Sequence, residues 1–203
     1  RWYADFLCAL GRAGEALEEM ERALQLDPLS LIISTEISWI SYLARDVGRA
    51  VDQALKTLEM EPEFYPACHI LGLAYEQIGD NKKAVRALEK ASRGSGGNPI
   101  SLAALGHAYA AAGRKREAKK TLGDLRNYAK SRYVPPYGFA ILHAGLGESS
   151  QALAWLQTAH EHRDVWLMWM QRDPRLDLLR REPLFQSLSL NMGFPGALGP
   201  SVS

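Results

Sequence analysis

The chain has 203 residues, 47% hydrophobic and 23% charged, with 24 Lys and Arg against 23 Asp and Glu and a net charge of +1. That balance excludes a disordered chain and gives no argument from net charge for or against nucleic acid. The two cysteines, Cys8 and Cys68, exclude a disulfide framework or paired-cysteine metal site, and the longest apolar run, Val165 to Met170, is too short to span a bilayer.

In chain order, the first helix begins at Arg1-Trp2-Tyr3, without a methionine and without its opening turn. More protein is therefore expected upstream, and this end is expected to lack a cap. Gly11 breaks the helix, and a second one centres on Ala16 and ends before Pro28. Residues 31–64 repeat the layout through Ala50 and Pro62, but carry Arg45 where other loops have glycine. In 65–98, apolar residues fall at helical spacing at Leu71, Ala74, Tyr75 and Ile78, then again at Ala84, Val85, Leu88 and Ala91. Gly79 suits a left-handed helix end, and Asp80 or Asn81 can cap the helix that follows. Residues 99–132 repeat this with Leu102, Leu105, Gly106, Tyr109, Ala118 and Leu122, and 133–163 with Ala140, His143 and Ala152. From Ala16 through Ala50, Ala84 and Ala118 to Ala152, every step is 34 residues, and Gly11, Gly79, Gly113 and Gly147 keep the same clock. A regular period of this length marks a repeat array.

Beyond 163 the period stops. Breaks at Asp173-Pro174 and Glu182-Pro183 predict three short helices near 165–171, 175–181 and 183–191. Trp166, Trp169 and Met170 are expected to share one face and close the core of the last unit. The Gly/Pro-rich stretch 193–203 is expected to be disordered.

Cys68-x2-Leu71-Gly72-x2-Tyr75 followed by Ala84-x3-Leu88 and Ala91 resembles the tetratricopeptide repeat, and the 99–132 copy matches it again. The second unit departs from it, with Ser38 and Ser41 where the small Gly and the Tyr are expected; Ala140 and His143 hold those places in the fifth. The resemblance implies an all-α superhelix: a right-handed solenoid of about five hairpins (1–30, 31–64, 65–98, 99–132 and 133–163) with a helical cap over 164–192. It also implies that first helices line a concave wall. The stripe of the third first helix that faces away from Leu71, Gly72 and Tyr75 carries His69, Leu73, Glu76 and Gln77. Equivalent places hold Thr35, Trp39, Tyr42 and Leu43; Ala103, His107, Ala110 and Ala111; and Tyr137, Ile141, Ala144 and Gly145. A hydrophobic groove with a few polar groups suits an extended peptide or a partner helix. The expected function is thus a non-catalytic protein-interaction scaffold, with Trp39, Tyr42, Thr35, His69, Leu73, Glu76, Gln77, His107, Tyr137 and Ile141 as the groove. The C-terminal ending looks like the one that closes arrays in many bacterial regulators. The alternative is therefore the sensor or assembly half of a signalling protein whose DNA-binding or kinase domain lies upstream.

Other chemistry finds little support. His160 and His162 are two apart on a helix and point to nearly opposite sides, so no metal is expected. Gly94-Ser95-Gly96-Gly97-Asn98-Pro99 follows a helix and lacks the Gly-Lys-Ser/Thr of a phosphate loop. No GxSxG is present, so no enzyme, small-molecule substrate or cofactor is expected. The basic run Arg114, Lys115, Arg116, Lys119, Lys120, Arg126, Lys130 and Arg132 reads as a solvated outer face rather than a nucleic-acid site, because no aromatics interleave with it. The Lys/Asn/Arg clamp with which some such arrays hold a C-terminal carboxylate is missing from the groove places. Self-association is expected through the uncapped N-terminal end. With no signal or membrane segment in the sequence, a cytoplasmic location is expected.

Overall fold

A computed structural model describes residues 1–194, which contain helices and no strand. Five antiparallel hairpins follow one another: α1 (Trp2–Ala9) with α2 (Ala13–Leu26), α3 (Leu31–Leu43) with α4 (Val47–Met60), α5 (Tyr65–Gln77) with α6 (Asn81–Gly94), α7 (Pro99–Ala111) with α8 (Lys115–Ala129), and α9 (Pro136–Gly145) with α10 (Ser149–Glu161). Each second helix also packs on the next first helix, and first helices touch first helices along the stack, α3 on α5, α5 on α7 and α7 on α9. The result is a solenoid whose units bury apolar surface only by stacking.

Local signals position these helices. Gly11, Gly79, Gly113 and Gly147 take positive φ between 75° and 85°, which ends each first helix; Arg45 adopts φ 69° at the same place without glycine's freedom. Asp46 and Asp80 accept hydrogen bonds from the amides of Arg49 (3.2 Å) and Lys83 (3.1 Å), capping α4 and α6. In the Ser95–Asn98 joint, Gly96 and Gly97 turn at positive φ, and the Asn98 side chain caps α7 through Ile100 N at 2.9 Å.

Close helix approach explains the small residues. A Cβ on Gly72 would lie 2.5 Å from Leu88 Cγ. In the second unit the residue opposite is Ala54 instead of leucine, which leaves room for Ser38. That serine is wholly buried and donates to Ala50 O at 2.6 Å. Ser34, Thr57 and Gln53 extend this into a small polar network, at 2.6 Å and 2.7 Å. The apparent degeneracy of this unit is thus a compensated exchange of an apolar knob for hydrogen bonds.

After α10, the segments expected as helices near 165–171 and 175–181 are 3-10 turns, Val165–Trp169 and Pro174–Leu179, followed by α11 (Pro183–Asn191). Each turn opens on an aspartate cap: Asp164 accepts from Trp166 N at 3.0 Å and Asp173 from Arg175 N at 3.0 Å. Runs this short gain little from an α-helical register, so i to i+3 bonding suffices. Of Trp166, Trp169 and Met170, the first packs against the last unit's core and the third belongs to it, while Trp169 turns to the other cluster. Met170 and Leu167 join the last unit's core with Tyr137, Ile141 and Leu156, whereas Trp169 meets Trp39 edge-on, with ring centroids 5.6 Å apart. Of the stretch expected to be disordered, residues 195–203 lie outside the described residues. Gly193 turns at φ 72° and Phe194 packs on the core.

At the N-terminal end, Trp2, Tyr3 and Phe6 are exposed while Asp5 is buried against Glu36 of α3. Burial, and then the hydrogen-bonded Asp5 carboxyl, push the Glu36 carboxyl up to about 8, against the pull of Arg1, whose Nε lies 3.0 Å away. A carboxyl raised on folding favours the protonated native state. Its stabilisation is complete below its ordinary value of 4.5 and is lost as pH rises through about 8.

Two outcomes are expected. Gly72→Ala destabilises by about 1–3 kcal/mol in urea unfolding, and the loss shrinks when Leu88→Ala is present; strictly additive costs would remove the contact as the cause. Melting temperature falls between about pH 6.5 and pH 8, above the range in which the neutral, buried His69 offsets Glu36, and Glu36→Gln flattens that fall, whereas an unchanged slope in the variant would assign the pH dependence elsewhere.

Candidate functional site

The first helices α3, α5, α7 and α9 form one wall, and the C-terminal segment runs back across it. Four contacts fix its course. Trp169 sits against Trp39, which itself stacks on Tyr42 at 5.5 Å. The Arg172 guanidinium occupies the space over Gly11, where a Cβ would lie only 2.1 Å from it. Asp173 accepts from the Tyr137 hydroxyl at 2.8 Å. Arg45 reaches Asp177 at 2.6 Å, and that contact gives the strained Arg45 backbone a purpose.

At the centre lies the pair Asp173 and Arg175, bonded through Nε at 2.9 Å and Nη2 at 2.7 Å, with side chains 0% and 6% exposed. Burial alone would neutralise both. The Arg175 guanidinium nevertheless holds the Asp173 carboxyl below its ordinary range, and Asp173 in turn holds Arg175 above its own. Burial and the Asp173 charge push the hydroxyls of Tyr42 and Tyr137 well up, so both stay protonated and Tyr137 donates. His69 goes the other way: burial first, then Arg175, push it down to about 3, and it remains neutral.

The expected groove residues all lie on this wall, but most are not open. Trp39, Tyr42, Leu73, Tyr137 and Ile141 are buried, and Thr35, also buried, returns its hydroxyl to Leu31 O at 2.7 Å. The physical reason is the returning segment, which covers the aromatic part of the wall with Trp169 and the polar part with Asp173 and Arg175. What stays open is narrower: a cleft of about 370 Å³ between α5, α7, α9 and residues 174–178. Its floor is Tyr42, Leu73, Glu76 and His107, and its rim includes the exposed Arg45, Ala111, Asp177 and Leu178. Glu76 and Gln77 are half-buried there. His107 Nδ1 lies 2.6 Å from Glu76 Oε1, in a geometry that makes no hydrogen bond. Gly145 permits this placement, because a Cβ there would come within 2.7 Å of the His107 ring.

Elsewhere, His143 is buried with Nδ1 2.6 Å from Glu148 Oε2, a packed histidine in an aromatic's place. Lys115, Arg116, Lys119, Lys120, Arg126 and Lys130 are exposed along α8. Among the described residues no group of three or more His, Cys, Asp or Glu is placed to hold a metal ion, and no helix is long and apolar enough to cross a membrane. The sequence reading missed Arg45, Arg175 and Asp177. Only Arg45 carried a signal, as the one non-glycine in the series Gly11, Arg45, Gly79, Gly113 and Gly147.

Residues 75–134 match the tetratricopeptide repeat family. The fold is similar to the crystal structure of a thermophilic TPR protein of Thermus thermophilus, with TM-score 0.64 and 22% identity over 93% of this chain and 96% of that one. A second similarity is to the structure of Naa15/Naa10 bound to HypK-THB, at 22% identity and TM-score 0.38; this chain spans 30% of that one, and the likeness is too slight to build on. No curated protein sequence matches. The architecture is that of a tetratricopeptide solenoid, a fold that serves in general as a protein-interaction scaffold.

Asp173→Asn leaves Arg175 buried without a counter-charge. It is expected to lower stability by about 3–5 kcal/mol in urea unfolding followed by tryptophan fluorescence. A loss below about 1 kcal/mol would mean that the pair does not hold the segment on the wall.

Proposed function

We propose that the chain is a non-catalytic scaffold that docks a peptide or partner helix in the part of its concave groove left open beside residues 174–178. The observation that carries this reading is the cleft itself: an exposed rim of Arg45, Ala111, Asp177 and Leu178 over a floor of the buried Leu73, Tyr42 and His107 and the half-buried Glu76. Leu178 is 86% exposed on that rim, an apolar side chain available to a partner. Mixed apolar walls with a few convergent polar groups are what a peptide-binding cleft needs. Trp39, Tyr42, Leu73, Tyr137 and Ile141 serve in this reading as the support behind the contact surface. Gln77 and His107 meet the partner, as does Glu76, while His69 backs them.

Ala111 lies exposed on the rim, so filling its place blocks the cleft without touching the core. Peptides selected from a randomised library against the whole chain are expected to lose at least about tenfold in affinity for Ala111→Trp, with the helical circular dichroism unchanged. Selected peptides that bind this variant as well as the unmodified chain would move the docking site out of the groove.

A further inference from the structure

We infer that the cleft is a pocket for one basic side chain, the guanidinium or ammonium of an Arg or Lys presented by the docked partner; this rests on the groove reading above. The ionic pairing around the cleft leads there. Arg45 is engaged by Asp177 at 2.6 Å and Arg175 by Asp173 at 2.7 Å. Glu76 is the one acid of the lining with no lysine or arginine beside it among the described residues. Its Oε2 and the neighbouring Gln77 Oε1 are buried atoms with no hydrogen-bond partner there, and His107 Nδ1 beside them is likewise unpartnered. His107 is itself 8% exposed. A buried carboxylate oxygen without a partner calls for a donor that brings a positive charge, and the buried Gln77 Oε1 of the same lining is a second free acceptor.

The shape agrees with that chemistry. A volume of about 370 Å³ is at the small end for ligand pockets and gives room for one long side chain. Leu73, Ala111 and Ala144 form apolar walls along which a methylene stem can lie while its charged head reaches Glu76 and Gln77. An anionic group finds no such welcome, since both guanidinium groups of the lining are already held by carboxylates. A guanidinium or ammonium that reaches Glu76 Oε2 makes a charge-assisted hydrogen bond there.

The test uses the library-selected peptides and the whole chain. They are expected to carry an essential Arg or Lys. Replacing an essential Arg by citrulline, or an essential Lys by norleucine, costs at least about tenfold in affinity for the unmodified chain and little for Glu76→Gln. Glu76→Gln is isosteric and removes a buried carboxylate that no lysine or arginine pairs with among the described residues, so its melting temperature is expected to stay level or rise. Gln77→Ala provides an independent reading, with a smaller loss of affinity for the same peptides. Peptides that need the groove, as shown by their sensitivity to Ala111→Trp, yet carry no essential basic residue, would overturn the basic pocket and leave the groove reading standing. A replacement cost that is identical in Glu76→Gln would do the same. A selection that yields no peptide sensitive to Ala111→Trp would overturn both.

Discussion

The buried carboxylate of Asp173 organises more of this molecule than any other single group. It is wholly excluded from solvent and receives hydrogen bonds from Tyr137 Oη and from the backbone and guanidinium of Arg175. An ion pair this deep is favourable only when nearly every lone pair is engaged, because desolvation of each charge costs several kcal/mol. Here the donors come from the last hairpin and from the returning segment. The segment is consequently held where those donors converge, on the concave wall.

That placement changes how the array holds together. Hairpins that touch only their neighbours fray from the ends, since each loses support independently. Asp173 on Tyr137, Trp169 on Trp39 and Asp177 on Arg45 tie the last unit to the second, the last of these contacts across a sequence separation of 132 residues. The closure costs little entropy, because the intervening units already hold the ends near one another. The exposed Trp2, Tyr3 and Phe6 of α1 lie outside this tie.

Much of the array was legible in the sequence, and the reason is local. Gly79, Gly113 and Gly147 mark left-handed helix ends wherever they stand, and Ala84 and Ala118 mark close helix contacts. Such signals are set by neighbours a few residues away and recur with the period. Ser38 looked like decay because its compensation, Ala54, sits in the other helix of the hairpin. The concave stripe of the first helices was legible in spacing but not in exposure. Trp39 and Tyr42 stand on the concave side as the spacing indicates, yet their cover comes from Trp169, Asp173 and Arg175, which belong to no period. An aspartate and an arginine two residues apart in a turn look like surface charges, and only long-range packing makes them a buried pair. Glu76, Gln77 and His107 lie on first helices at the repeat spacing, and residues 174–178 form the other side of the cleft they line.

The strained backbone at Arg45 has one more consequence. A stack of equal units is translationally degenerate: a segment that lies along it could slide by one unit and find much the same surface. The second unit lifts that degeneracy, since Arg45 replaces glycine and Trp39 with Tyr42 replaces Leu73 with Glu76. A single shift would bring Asp177 opposite Gly79, which has no charge, and Trp169 opposite Leu73. The unit that departs furthest from the repeat therefore acts as the origin of coordinates for everything laid along the wall.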